Sequence, residues 1–132
     1  MASIEIIASD EFVAWYDSLD DRDAEAVNYS VDLLAELGVA LDHPHSSAIK
    51  SAGFALRELR CQSGGRPLRV FYAFDPLRQA VLLIGGDKTG DGRFYKVMIP
   101  RASAIWHQHL EEQRAGLHPG PAGKKKDDGG RG

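Results

Sequence analysis

The chain reads as an α+β domain in the order β-α-α-β-β-β-α. Three observations point there. Apolar residues recur at helical spacing between positions 12 and 37. Three short apolar segments separated by turns fill the stretch from Phe54 to Pro100. Those segments follow one another too closely for parallel crossovers, so an antiparallel sheet with the helices packed on one face is expected.

Ser3 to Ile7 is apolar and β-branched and reads as a first strand. Asp10 is placed to cap a helix carrying Phe12, Trp15, Tyr16 and Leu19. Asp20, Asp21 and Asp23 restart the pattern with charge suited to a helix N-terminus. Val27, Val31, Leu34 and Leu37 form the next apolar stripe, and Gly38 is positioned to end it. Residues 42–53, with His43, Pro44, His45 and Gly53, read as a connecting loop. The three strands are Ala55 to Gln62, Leu68 to Asp75 and Ala80 to Gly86. Ser63-Gly64-Gly65 and Asp75-Pro76 supply turns between them. Pro100 is expected to open the last helix, with Ile105, Trp106 and Leu110 available to pack. Residues 1–113 form the domain. Residues 114–132 are rich in Gly, Pro and charge, including Lys124-Lys125-Lys126, and a disordered tail is expected there.

The 132 residues fit one domain with a real core. No apolar run approaches the roughly 18 residues a membrane helix needs, so no membrane partner is expected. No basic start leads into an apolar block, which argues against a signal peptide. One cysteine, Cys61, cannot form an internal disulfide, and a cytoplasmic location is expected. The net charge of -3 conceals a division. Residues 1–53 hold 11 acidic and 2 basic side chains, whereas the remainder holds 8 acidic and 14 basic. Binding responds to the local field, so the second half can meet an anionic partner.

The basic set in and around the strands is Arg57, Arg60, Arg66, Arg69, Lys88, Arg93 and Lys96. Side chains alternate along a strand, so Arg57 and Arg60 point to opposite faces, whereas Glu58 and Arg60 share one. Glu58 can pair with Arg69 in an ion pair, and the alternative role for these arginines is phosphate contact. Asp87, Thr89, Asp91 and Gly92 match the front of a calcium loop, but Met98 occupies the position that needs a bidentate Glu. Asp87 also stands where a phosphate-binding loop requires glycine. His107 and His109 diverge on a helix, and His43 and His45 lack partners at ligand spacing. No metal and no cofactor are expected. Tyr95, among several cations, can pass a proton or stack on a base.

Three runs resemble one family when taken together. They are Leu56-Arg57-Glu58-Leu59-Arg60, then Gly65-Arg66-Pro67-Leu68-Arg69-Val70-Phe71-Tyr72, then Val81 to Lys88. With the ending Tyr95 to Pro100, they resemble the phage-derived, HigB-type branch of the RelE/ParE toxin superfamily. The resemblance implies a RelE-like fold and a toxin of a type II toxin–antitoxin pair. It implies a metal-independent mRNA endoribonuclease, working on the ribosome and inhibiting translation. The implied partners are a cognate antitoxin of helix-turn-helix type, mRNA and the ribosome. Arg69 and Lys88 would stabilise charge on the reacting phosphate, and Tyr95 would transfer a proton or stack on a base. Arg57, Arg60, Arg66, Arg93 and Lys96 would bind RNA. Where the HigB-like pattern carries two lysines after the third of these strands, this sequence carries Lys88 alone. ParE-type relatives inhibit gyrase without catalysis, and a non-toxic protein-binding module is the other alternative.

Overall fold

The computed structural model describes residues 3–116. The elements are β1 (Ile6–Ala8), α1 (Asp10–Asp17), α2 (Asp21–Leu37), a 3-10 turn at Gly38–Ala40, β2 (Ser46–Ala48), β3 (Arg57–Ser63), β4 (Arg66–Phe74), β5 (Ala80–Asp87) and α3 (Phe94–Arg114). The five strands form one sheet in the order β1-β5-β4-β3-β2. The three expected strands are antiparallel neighbours. β1 instead runs parallel to β5, which makes the sheet mixed. The α1–α2 hairpin supplies the crossover that a parallel pair requires.

Local chemistry accounts for the helix ends. Ser9, not Asp10, caps α1, its Oγ accepting from the Phe12 N–H at 2.9 Å. The same hydroxyl donates to the Leu83 carbonyl at 2.6 Å, which ties the helix start to β5. Asp20 caps α2 through the Asp23 N–H. Gly38 ends that helix at φ 56°, a region that glycine enters without steric cost.

At two places the chain's course differs from that expectation. The loop expected over 42–53 contains β2, which pairs antiparallel with β3 between Ser46↔Leu59 and Ala48↔Arg57. Three residues are too few for a legible alternation. The last helix starts at Phe94, and Pro100 lies inside it. Phe94, Met98, Ala102 and Trp106 recur every four residues and bury one face. That burial outweighs the single hydrogen bond and the bend that an internal proline costs.

Helices cover both faces of the sheet, not one. A Cβ added to Gly85 would meet the Trp15 ring of α1, whereas one on Gly86 would meet Phe94 and Met98 of α3. Adjacent strand residues point to opposite faces, so α1 and α3 lie on opposite sides. The core divides accordingly. Phe12, Val27 and Leu34 pack with Leu59, Val70 and Tyr72 on the hairpin side. Phe94, Met98 and Trp106 pack with Phe71, Ala73 and Leu83 on the α3 side. The hairpin continues directly from β1, but the chain must cross the end of the sheet after β5 before α3 begins. That crossing delivers α3 to the far face.

Asp75 fastens the lower half of α3. It accepts from His109 Nε2 at 2.9 Å, from Gln113 at 2.9 Å and from Gln79 at 2.8 Å. The expected tail starts at position 114. Arg114 is the last residue of α3, and residues 117–132, with the lysine run, lie outside the described residues.

Candidate functional site

The α3 face of β3 and β4 gathers the charged residues of interest. Register pairs Arg60 with Arg69 and Glu58 with Phe71. Two guanidinium groups therefore stand on opposed positions, an unfavourable arrangement unless an anion lies nearby. Glu58 supplies it, with Oε1 3.6 Å from Arg69 Nε. Both side chains are nine-tenths buried, and the Arg69 Nε has no hydrogen-bond partner, while Nη1 donates to the Leu68 carbonyl at 3.1 Å.

Two further elements close on Glu58. The first turn of α3 brings Tyr95, whose hydroxyl donates to Glu58 Oε1 at 2.7 Å. From β2, the Ser47 hydroxyl donates to Glu58 Oε2 at 3.0 Å. The Tyr95 ring meets Phe71 and Phe94 edge-on, so its direction is set by packing as well as by the hydrogen bond. Lys88, just beyond β5, places its Nζ 5.9 Å from the centroid of that ring. Burial pushes the Tyr95 hydroxyl pKa up, and the Glu58 carboxylate pushes it the same way, with Arg69 opposing. The phenol is thus held in its protonated form at neutral pH.

The turn after β5 shapes the approach. Asp87 Oδ1 accepts from the Thr89 hydroxyl at 2.6 Å and from the Thr89 N–H at 2.9 Å. These bonds, the hydroxyl first, hold the Asp87 carboxyl below the usual range. The Arg93 N–H donates to Asp91 Oδ1 at 2.9 Å, and the exposed Arg93 and Lys96 flank Tyr95 in the chain.

Arg69 and Tyr95 come together on Glu58, Lys88 lies beside the Tyr95 ring, and half-buried Arg60 is on the same face. Arg57 and Arg66 do not join them. Arg57 points to the hairpin side and donates to Ser46, Tyr72 and Asp42. Arg66 bridges Asp23 of α2 and Asp87. That bridge, with a bond from Ser63, holds the Asp23 carboxyl below the ordinary range. The acidic partner at the centre was legible only as an ion-pair candidate for Arg69. Ser47 carries no sequence signal, because three-residue β2 is too short to show alternation. Burial pushes the Cys61 thiol up, which makes it a poor nucleophile. Among the described residues, no three His, Cys, Asp or Glu side chains group in a way that could hold a metal.

Residues 14–107 match the family described as phage-derived protein Gp49-like. The chain belongs to that family. A relative of this Gp49-like chain in Mycobacterium tuberculosis, named "Putative toxin HigB3", is 38% identical over 105 residues, spanning 77% of the chain and 90% of that protein. A second from the same organism, named "Putative toxin HigB2", is 34% identical over 102 residues, spanning 75% of the chain and 51% of that protein. The HigB-type resemblance drawn from the sequence therefore holds. A doubly substituted form of the Escherichia coli toxin RelE in the free state superposes with a TM-score of 0.53 at 8% identity, over 74% of this chain and 96% of that one. The Gp49-like chain thus has the RelE fold. No helix of the described residues is long and apolar enough to cross a membrane.

Proposed function

We propose that the Gp49-like chain is the toxin of a type II toxin–antitoxin pair and cleaves mRNA engaged on the ribosome. The names of its two relatives and its RelE fold support the toxin reading. The observation that carries the cleavage reading is that Arg69 of β4 and Tyr95 of α3 meet on the Glu58 carboxylate, with Lys88 beside the Tyr95 ring.

Cleavage by the RNA's own 2′-hydroxyl needs no further nucleophile. It needs proton transfer and positive charge where the phosphorane forms. Tyr95 is the group for proton transfer, and Lys88 and Arg69 meet the developing charge. Arg60, Arg93 and Lys96 hold the RNA backbone. Arg57 and Arg66 serve the fold, since both are already committed to carboxylates. The ribosome orders the substrate, which lowers what the protein alone must organise. The site works in the cytoplasm, where translated mRNA is found. A small antitoxin with a helix-turn-helix domain neutralises it.

One observation favours a second reading. Glu58 and Arg69 are only 6% and 5% exposed, so the network also fits a fixed surface that binds a protein such as gyrase without catalysis. Induced expression with transcript-end mapping separates the two. Cleavage predicts growth arrest with new ends inside translated codons, absent for a folded Arg69→Ala, Lys88→Ala double variant. Arrest with intact transcripts and impaired supercoiling would select the gyrase reading instead.

A further inference from the structure

The geometry points to Glu58 as the terminal proton acceptor of the site, working through Tyr95. This inference rests on the ribonuclease reading and names the step that reading leaves open. Tyr95 touches the substrate; Glu58 is a positioning residue that orients the phenol and takes its proton.

A lone phenol would have to be ionised to act as a base, and the burial of Tyr95 and the neighbouring carboxylate both oppose ionisation. Its proton, however, already points at an acceptor, Glu58 Oε1, at 2.7 Å. A phenol in that position can receive one proton on its oxygen while giving up the other. The acceptor is held in place from three sides. Ser47 of β2 donates to Oε2, Tyr95 of α3 donates to Oε1, and Arg69 of β4 lies 3.6 Å from Oε1. Arg60 shares the face on β3, and Lys88 lies beyond the phenol ring. These donors and cations fix where the Glu58 oxygens stand beside the phenol.

The 2′-hydroxyl proton moves to Tyr95 Oη as the phenolic proton moves to Glu58 Oε1. The 2′-oxygen bonds to phosphorus as the bond from phosphorus to the 5′-oxygen breaks. The departing 5′-oxygen takes a proton from the Lys88 ammonium. The products are a 2′,3′-cyclic phosphate and a 5′-hydroxyl. Glu58 then returns its proton, and Lys88 recovers one, through water.

The test is cleavage of mRNA on programmed ribosomes by the purified full chain, measured across pH. Glu58→Gln keeps the shape and still accepts from Tyr95 but cannot take the proton. We expect cleavage to fall about 100-fold or more, the usual scale of acid–base catalysis. Ribosome-bound affinity should stay within about twofold, because no substrate contact is removed. The acid limb of the wild-type pH profile should vanish. Tyr95→Phe should lose as much, and the double variant no more than either single change, as for residues acting as one unit. Ser47→Ala removes one donor that holds Glu58 and should slow cleavage while leaving ribosome-bound affinity unchanged. A folded Glu58→Gln that cleaves within about threefold of wild type, with its acid limb intact, overturns the relay and leaves the ribonuclease reading standing. If Glu58→Gln does not fold, cleavage by Ser47→Ala at the wild-type rate overturns it. A wild-type chain that cleaves nothing at any pH removes the ribonuclease reading and the relay together.

Discussion

Tyr95 donates its hydroxyl to Glu58 Oε1 across 2.7 Å, which joins the first turn of α3 to β3 over 37 positions of sequence. The contact exists because α3 begins at Phe94 and not at Pro100. With the later start, Tyr95 would lie in a loop with no fixed direction. The helix start and the site geometry are therefore one fact. Removing the hydroxyl leaves Glu58 buried with one fewer donor, so Tyr95→Phe should lower stability by about 1 kcal/mol. Urea denaturation measures this separately from any loss of cleavage.

Lys88 is half-buried beside the Tyr95 ring and makes no ion pair among the described residues. Its loss should cost function and not folding. Lys88→Ala should slow cleavage by about 100-fold, the scale of removing one preorganised charge donor. The melting temperature should not change. A parallel fall in melting temperature would mean that Lys88 serves the fold.

Arg57 and Arg60 make a matched pair of opposite expectation. Arg60→Ala should weaken RNA binding and reduce the magnitude of the salt slope by about 1, one phosphate contact fewer. Arg57→Ala should leave the slope unchanged. It loses a bond to exposed Asp42, worth about 0–1 kcal/mol, in addition to those with Ser46 and Tyr72. Equal slopes for the two variants would contradict the division of faces.

Acid should unfold the domain through three aspartates. Asp23 is held down by Arg66 and then Ser63, and Asp87 by Thr89. Burial would raise Asp75, but bonds from Gln79, His109 and Gln113 more than offset it. All three have folded values below the unfolded value of about 3.9. Their contribution is therefore present above that pH and is lost as pH falls through the lower folded values. The melting temperature should be level above about pH 5 and drop below about pH 4. Asp75→Asn should make the drop shallower; a curve of unchanged steepness would show that Asp75 does not contribute.

Gly85 tests the packing of α1 on the sheet. An added Cβ would approach the Trp15 ring to 2.3 Å, so the ring or the helix must move. Gly85→Ala should destabilise by roughly 2 kcal/mol, in the range of overpacked cores. Gly53→Ala, with open space around it, meets only the penalty of its φ of 83°.

Much of the fold was legible because β4 and β5 are short, near-continuous apolar runs bounded by turns and α2 carries a clear stripe. The site was legible in part. Arg69, Lys88 and Tyr95 stand out as cations and a phenol in apolar surroundings, which is costly without a use. Glu58 was half legible, because period-two alternation places it beside Arg60 but cannot show which helix covers that face. Ser47 was not legible, since β2 is held by pairing with β3 and not by its own composition. The start of α3 was misread because proline is a strong N-terminal signal. The stripe Phe94, Met98, Ala102, Trp106 was the better guide.

The most direct test of the central claim is the chemistry of the RNA ends. Purified chain is incubated with ribosomes carrying a defined mRNA, and both new ends are identified. The account predicts a 2′,3′-cyclic phosphate and a 5′-hydroxyl within a translated codon, formed by wild type and lost in folded Lys88→Ala. Intact mRNA under conditions where the same protein arrests growth would contradict it.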